Sequence, residues 1–429
     1  MNADNNNLDN NNSDNNNLNA DMSAVDISAF SPSSILEKEK ADPFADLGDA
    51  PITSKKDIKI AVVGIGGAGN NALSHLLSRE DLKSVINVEY YMVNTDYQPL
   101  QTAQNRLKNN KSVKYLLLGE KLTKGMGAGG DPVVGRRATL EDKKVLIEIF
   151  KNFDLVFLTC GLGGGTGSGA ICVFAQILQS LNIPTVGVVN TPFEAEGHIK
   201  NKITTFCINY LTSSLDTLIV VPNDKIKECM GNDKDLKLVS AFKMANEILA
   251  EGVASIITII KEVGFINVDF NDIKKIINKR GKGLIASAIA SGDLRSHDAF
   301  YSALHNPLIS DTDWNSISGV LINISVKHMD NILLSEWQGV QDIAKKYINE
   351  NSLVIFGVSA HPKLDEDQMK ITIILTGLDQ PIHPSNIIDT EVMADEFKTN
   401  DRIRPTSNST SNNASEPSSV NLFKSKFKK

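Results

Sequence analysis

IKIAVVGIGGAGNNAL, residues 58–73, decides how the chain begins to fold. Ile58 to Val63 is an apolar run of buried-strand length broken only by Lys59, the glycines after it read as a turn, and Ala72 to Leu77 reads as a helix. That is half of a βαβ unit. A second strand, VEYYMVNTD (Val88 to Asp96), follows at crossover spacing, and further short apolar runs recur at Asp154–Cys160, Thr185–Asn190 and Leu218–Pro222. Helix-like segments such as GAICVFAQILQSL lie between them. Strands that are apolar throughout are buried on both faces, so residues 57–234 are expected to form a doubly wound parallel-sheet α/β domain.

Beyond it, Leu238, Phe242, Ala245, Leu249, Val253, Ile256 and Ile260 recur at steps of three and four, which predicts a long central helix over 235–263. GVLINISV (Gly319–Val326), SLVIFGVSA (Ser352–Ala360) and KITIILTG (Lys370–Gly377) then read as strands around the helical stretch SEWQGVQDIAKKYI. They predict a second, smaller α+β domain over 264–379. Residues 1–56 are rich in Asn, Asp and Ser, and 380–429 in Pro, Ser and Asn. Such compositions bury too little apolar surface to offset the entropy of ordering, so both stretches are expected to be flexible tails.

With 429 residues and 41% hydrophobic content the chain can bury two cores. A net charge of -7 argues against nucleic acid as the main partner. No apolar run reaches the roughly 18 residues of a membrane span, and MNADNNNLDNNN lacks a signal peptide's basic start and apolar stretch. Cys160, Cys172, Cys207 and Cys229 sit singly among apolar residues without zinc-ligand spacing, as buried reduced thiols do. A reducing cytoplasm is the expected address, and no protein-bound metal is expected.

Two loops carry chemistry. Gly64-Ile65-Gly66-Gly67-Ala68-Gly69 fits G-x-G-x-x-G between a strand and a helix, where glycines admit a phosphate to the backbone and a helix N-terminus supplies N–H donors. With Asp96 ending the second strand, that motif alone would equally suit a dinucleotide-dependent dehydrogenase. The run Gly161-Leu162-Gly163-Gly164-Gly165-Thr166-Gly167-Ser168-Gly169, again between a strand and a helix, is far more specific. A mere turn needs one or two glycines, and each extra one costs roughly 0.5–1 kcal/mol of backbone entropy relative to Ala. No Lys follows as in a Walker loop, so backbone N–H groups, Thr166 and Ser168 are left to cradle the phosphates.

GGGTGSG closely resembles the signature loop of the tubulin/FtsZ family of GTPases. That family's other loops occur here in order: GIGGAGNN (64–71), NTD (94–96), GMGAGGDPVVGRR (125–137), TPFEAEG (191–197), VPND (221–224) and NVDFND (267–272). The resemblance covers about residues 57–378. It implies that Gly67, Ala68, Gly69, Asn70 and Asn71, together with Asp96 and Gly163 to Ser168 (Gly163, Gly164, Gly165, Thr166, Gly167, Ser168), bind GTP or GDP. It also implies that Glu196 holds the ribose, that Phe242 lies against guanine and that Asn246 reads the base edge. Phe242 and Asn246 share a helical face at i, i+4, although Phe242 also fits the apolar stripe as plain core. Mg2+ is expected through the phosphates.

In Asn267-Val268-Asp269-Phe270-Asn271-Asp272, Asp269 is a good N-cap with Asp272 at N3. The resemblance adds that this loop enters the next subunit's nucleotide pocket, where Asn267, Asp269 and Asp272 assist the attack of water, so capping and catalysis can both hold. It implies a GTPase that polymerises head to tail into a division ring, hydrolysing GTP at subunit interfaces. A tubulin-like filament for DNA segregation or cell shape is the alternative. Three positions depart from the family pattern: Lys200 stands for the usual Arg, Ser168 for Thr and Asn70 for Gly. The resemblance places Lys200 at the nucleotide, where Lys keeps the charge but loses the bidentate fork, so its contact is expected to be weaker. In the segment NLFKSKFKK (421–429), Leu422, Phe423 and Phe427 fall on one helical face at spacings of four and five, among lysines. It resembles the family's adaptor-binding tail in character only, and predicts docking on a membrane-tethering adaptor or other division proteins at the inner face of the membrane.

Overall fold

The computed structural model describes residues 58–79, 82, 87–107, 110, 112–229, 237–261 and 269–378. The expected tails, the segment 421–429 and Asn267 lie outside these residues. The first apolar run becomes β1 (Ile60–Ile65), buried along its whole length, and α1 begins at once as Gly66–Leu77. The glycines expected to form a turn are therefore the first turn of the helix. This is possible because Gly66, at φ +70°, makes the corner within a single residue.

The sheet continues through β2 (Val88–Asn94), the helix α2 (Tyr97–Arg106) and β3 (Val113–Leu117), a strand the hydropathy pattern did not disclose. After a one-turn α3 (Glu120–Thr123) come α4 (Pro132–Glu141) and α5 (Lys143–Phe150). Asp131 caps α4 by accepting from Val133 N at 2.8 Å, with Pro132 in the first turn where no N–H is needed. Part of GMGAGGDPVVGRR is thus helix rather than loop. Next are β4 (Leu155–Gly161), α6 (Gly165–Ser180), β5 (Thr185–Thr191), α7 (His198–Ser214), β6 (Thr217–Pro222) and the short α8 (Asn223–Cys229).

The central helix is α9 (Leu238–Lys261), whose expected ends at 235–236 and 262–263 lie outside the described residues. Then follow α10 (Phe270–Ile277), β7 (Lys282–Ser291), α11 (Arg295–Leu304), β8 (Gly319–Val326), α12 (Leu334–Tyr347), β9 (Leu353–Ala360) and β10 (Gln368–Leu378). β7 is a second strand not foreseen, because its small residues in KGLIASAIAS give little hydropathy contrast.

All the strands join one ten-stranded sheet in the order β3-β2-β1-β4-β5-β6-β7-β10-β8-β9. Strands β1 to β6 are parallel, with the order reversing between β1 and β4. In an open α/β sheet that reversal opens a crevice at the carboxyl ends of the strands. Strands of the second half do not form a separate sheet: β7 pairs with β6 through Leu218↔Lys282 and Ile219↔Gly283, and β10 runs antiparallel to both β7 and β8.

One buried cluster spans both halves, from Ile60, Val62 and Leu73 through Leu249, Val253 and Ile257 to Ile322 and Ile371. Inside it the α9 carboxylate of Glu251 accepts from Arg79 and pairs with Lys370 on β10 at 2.7 Å, with Ser255 and Thr372 hydroxyls on its other oxygen. Burial alone would raise this carboxyl, but Lys370 and Arg79 overcome that and hold it far below the usual carboxylate range. The result is an ionic tie among the first half, the central helix and the second half.

Candidate nucleotide site

At the switch point the N-termini of α1 and α6 meet, close enough that a Cβ on Gly66 would lie 3.1 Å from Gly167 N. Neither Ile65 nor Gly164 caps its helix with a side chain. Two sets of first-turn N–H groups therefore face one crevice with no internal acceptor, the arrangement that suits phosphate oxygens. The glycines are required by packing. A Cβ on Gly69 would sit 2.3 Å from Thr159 O, on Gly165 2.8 Å from Asp131 N, on Gly167 2.4 Å from Gly161 O, and on Gly169 2.2 Å from Pro132 O. Gly67 and Gly164, by contrast, have nothing within 4 Å and border open space.

Side chains hold this cradle in shape. Gly163 N donates to Ser168 Oγ at 2.9 Å, and the Thr166 and Thr95 hydroxyls share a 2.7 Å hydrogen bond. Behind Ser168 its carbonyl lies 3.3 Å from Cys172 Sγ and 3.7 Å from Cys207 Sγ, both buried free thiols. Asp96 caps α2 by accepting from Gln98 N at 3.0 Å and forms an isolated bridge with Met126. Ala68 is half-buried and Asn71 exposed.

Asn70 is buried, yet neither its Nδ2 nor its Oδ1 has a partner, and the Asn190 Oδ1 is likewise buried and unpaired. Unsatisfied buried amides cost roughly 1–3 kcal/mol each and are rare without a reason. Beside a glycine cradle, they fit a polar ligand. Asn190 Nδ2 also donates to Asn223 Oδ1 at 3.1 Å, which links the ends of β5 and β6.

Glu196 accepts from Phe193 N at 3.0 Å and from Lys200 Nζ at 2.8 Å, so Lys200 is an ion-pair partner of the acid one helical turn before it. Phe242 is not core. It is 39% exposed and packs edge-on against Phe193, the ring centroids 5.3 Å apart. Asn246, one turn further along α9, is buried. The structure thus gathers the two glycine loops, and joins Phe242 to the 193–200 segment. Thr95, Asn190, Phe193 and Asn223 were missed as individual residues, although all but Asn190 fall inside loop motifs the sequence had singled out.

Asp269 and Asp272 stand elsewhere. Asp269 caps α10 by accepting from Asn271 N at 3.1 Å, and Asp272 pairs with Lys275 at 2.8 Å. The far end of α10 is fixed by hydrogen bonds from Thr217, the first residue of β6, to Ile277 O and from Thr376 to Ile276 O. Thr217 lies at the amino end of the parallel strands, whereas both glycine loops lie at their carboxyl ends. Helix α9 spans the distance: Phe242 meets the segment after β5, and Lys261 Nζ reaches Ile58 O just before β1. Among the described residues no cluster of three or more His, Cys, Asp or Glu could hold a metal ion.

A sheet ordered 3-2-1-4-5-6, a double glycine cradle at its switch point and a long helix from the carboxyl ends of the parallel strands to their amino ends define a tubulin-type nucleotide-binding protein. Comparison with known proteins agrees. The profile for the Tubulin/FtsZ family GTPase domain matches residues 59–231, and that for the FtsZ family C-terminal domain matches 281–379. The chain is 36% identical to the cell division protein FtsZ of Coxiella burnetii over 326 residues, 76% of this chain and 80% of that protein. It is 37% identical to the FtsZ of Azotobacter vinelandii over 319 residues, 74% and 77% of the two chains. The solved FtsZ dimer of M. jannaschii superposes with a TM-score of 0.68 at 32% identity, covering 81% of this chain and 92% of that one. CetZ2 from Haloferax volcanii, at 19% identity and a TM-score of 0.61, shares the fold. The chain belongs to the tubulin/FtsZ family, as a GTPase of its FtsZ branch.

Proposed function

We propose that this GTPase assembles head to tail, the Asp269–Asp272 end of one copy closing the nucleotide crevice of the next, and that hydrolysis occurs only at that junction. One observation carries the reading: the cradle lies at the carboxyl ends of the parallel strands, whereas α10, which begins with the acids, is anchored at their amino end through Thr217. Strands of six or seven residues separate their ends by about 20 Å, well beyond hydrogen-bond reach of an attacking water. A single copy therefore holds GTP without the carboxylates to activate water.

In this reading the first turns of α1 and α6 hold the phosphates, Glu196 the ribose, and Phe242 with Phe193 the guanine face. Asn246 reads the base edge, where a carboxamide can accept from guanine N–H groups that adenine lacks. Asn267, Asp269 and Asp272 of the adjoining copy orient and polarise water. Mg2+ bound through the phosphates would neutralise charge developing on the transferred group. The filaments are those of a division ring beneath the cytoplasmic membrane, tethered there through residues 421–429.

Phosphate release measured against protein concentration, with light scattering in GTP and in GDP, tests the mechanism. Turnover per subunit should rise steeply above a critical concentration. A specific activity that stays constant far below the assembly threshold overturns it.

A further inference from the structure

Helices α11 and α12 begin side by side, each with a leucine at its N-cap, Leu294 and Leu333. Leucine is among the poorest residues there because it offers no oxygen to the free N–H groups of the first turn. Neither is compensated by burial: Leu294 is 67% exposed, Leu333 61%, and the adjacent Leu334 71%. The surroundings are nevertheless rigid. The buried Arg295 guanidinium donates to Glu336 Oε1 at 2.6 Å, to Glu366 O at 2.8 Å and to Asn331 O at 2.9 Å, and Leu333 N donates to Glu336 Oε2 at 2.9 Å. Gly292 N binds Asp367 O at 3.1 Å. Three segments are locked together by one ion pair while their leucines are held out to solvent. A local rule broken twice within one fixed framework marks a binding surface rather than a packing accident.

Charge around the leucines restricts what can bind. Asp293, Asp298, Asp330, Asp365 and Asp367 are all exposed on these same segments, against Lys327, which is occupied by Glu366, and Lys363. Asp298 and Glu336 in the first turns also offset the positive ends of the two helices. The matching ligand is a short segment with apolar side chains separated by cations. This chain's own sequence contains one: Leu422, Phe423 and Phe427 interleaved with Lys424, Lys426, Lys428 and Lys429.

We propose that the Leu294–Leu333–Leu334 patch binds residues 421–429 of a second copy of this chain, giving a side-to-side link distinct from the head-to-tail junction. The patch follows the carboxyl end of β7 and α10 precedes its amino end, so the patch and the end of α10 are separated by about 30 Å of strand rise. This inference rests on the proposed tethering role of the same segment, which would then be shared between tethering and bundling.

The test uses the full-length chain in GDP and a fluorescent NLFKSKFKK peptide, read by anisotropy. Saturable binding that weakens with salt is expected. The double variant Leu294→Ser/Leu333→Ser should bind at least tenfold more weakly while unfolding at the same or a higher temperature, because Ser is a favoured N-cap. A glutamate-substituted peptide should bind Asp293→Lys/Asp330→Lys and not the wild type. Full-length copies carrying the Leu294→Ser/Leu333→Ser patch should associate with copies whose lysines 424, 426 and 428 are glutamates, and neither variant should associate with itself through this contact. No saturable peptide binding, equal binding by the serine variant, or no association of the complementary pair each overturns the proposal. So does patch-dependent association of the tail-reversed copies alone, which would assign the leucines to another folded face.

Discussion

Around the cradle, Gly69, Gly165, Gly167 and Gly169 leave no room for one more carbon, whereas Asp269 and Asp272 stand at the surface, where Asp269 accepts from Asn271 N and Asp272 pairs with Lys275. The first region is made of backbone atoms fixed by the packing of α1 and α6 against β4 and of α6 against α4. The second is made of side chains whose neighbours are a cap hydrogen bond and an exposed lysine. On the proposed head-to-tail reading, the stiff region is complete within its chain, while the surface acids are left to serve the site of another copy. Substitutions in the two regions should accordingly fail in different ways.

The largest effect is expected at Gly169→Ala. Its Cβ would lie 2.2 Å from Pro132 O and 2.5 Å from Arg136 N, both backbone atoms that cannot swing away. Overpacking of this kind costs about 3 kcal/mol, or roughly 3–5 °C in a chain of this length. Thermal unfolding with and without GTP should show stability and nucleotide retention falling together. A variant that retains both would mean that α4 and α6 are free to separate.

Asp272→Ala should show the opposite pattern. Its ion pair with Lys275 is about half exposed on both sides and contributes little, so stability should change by no more than about 0.5 kcal/mol. Hydrolysis should fall about 100-fold or more, with GTP still bound, because only the activation of water is removed. Single-turnover phosphate release beside a nucleotide-retention assay separates the two, and a loss of GTP binding would sink the division of labour.

Asp269 can divide the two roles at one residue. Asp269→Ala removes the N-cap and should cost about 1 kcal/mol in stability, whereas Asp269→Ser keeps a capping oxygen and should cost a few tenths. If the carboxylate serves water, both variants lose turnover about equally, at least tenfold. Turnover that follows stability instead, with Ser near wild type, would make Asp269 a cap alone.

The same contrast explains what could be read in the sequence. The glycine loops were legible because close backbone approach admits one residue type, which leaves its mark wherever it occurs. The starts of α1 and α6 were misplaced because glycines usually signal a turn, and here packing between helices overrides that preference. β3 and β7 escaped because VKYLL is short and KGLIASAIAS mixes small and apolar residues. The pairing of β6 with β7, which fuses two expected domains into one sheet, rests on two residue pairs without any local signature. At the site, Phe193 was the hardest to foresee as the ring that holds Phe242, since an edge-on contact across 49 positions has no period.

The smallest effect concerns Asp142, at the junction of α4 and α5 in the cradle-bearing half, and it has the opposite sign. Burial lifts its carboxyl from the usual 3.8 to about 6, although Gly119 N donates to it at 2.8 Å, and Glu141 and Glu120 push it further up. A carboxyl whose folded value is raised stabilises the fold fully below its unfolded value and loses that contribution as pH rises through the folded one. At pH 7 the charged form is therefore a burden, unlike Glu251, whose cations hold it ionised with benefit at neutral pH. Asp142→Asn keeps an acceptor for Gly119 N and removes the charge. It should raise stability at pH 7 by roughly 1 kcal/mol, the full shift being discounted for the partial exposure of the group. The gain should shrink as pH falls through about 6 and vanish below 4, where the wild-type carboxyl is protonated in both states. Urea unfolding of the two proteins from pH 4 to 8 measures this directly. A gain independent of pH would mean that the amide acts by packing, and a loss at pH 7 would mean that the charge itself secures the Gly119 corner.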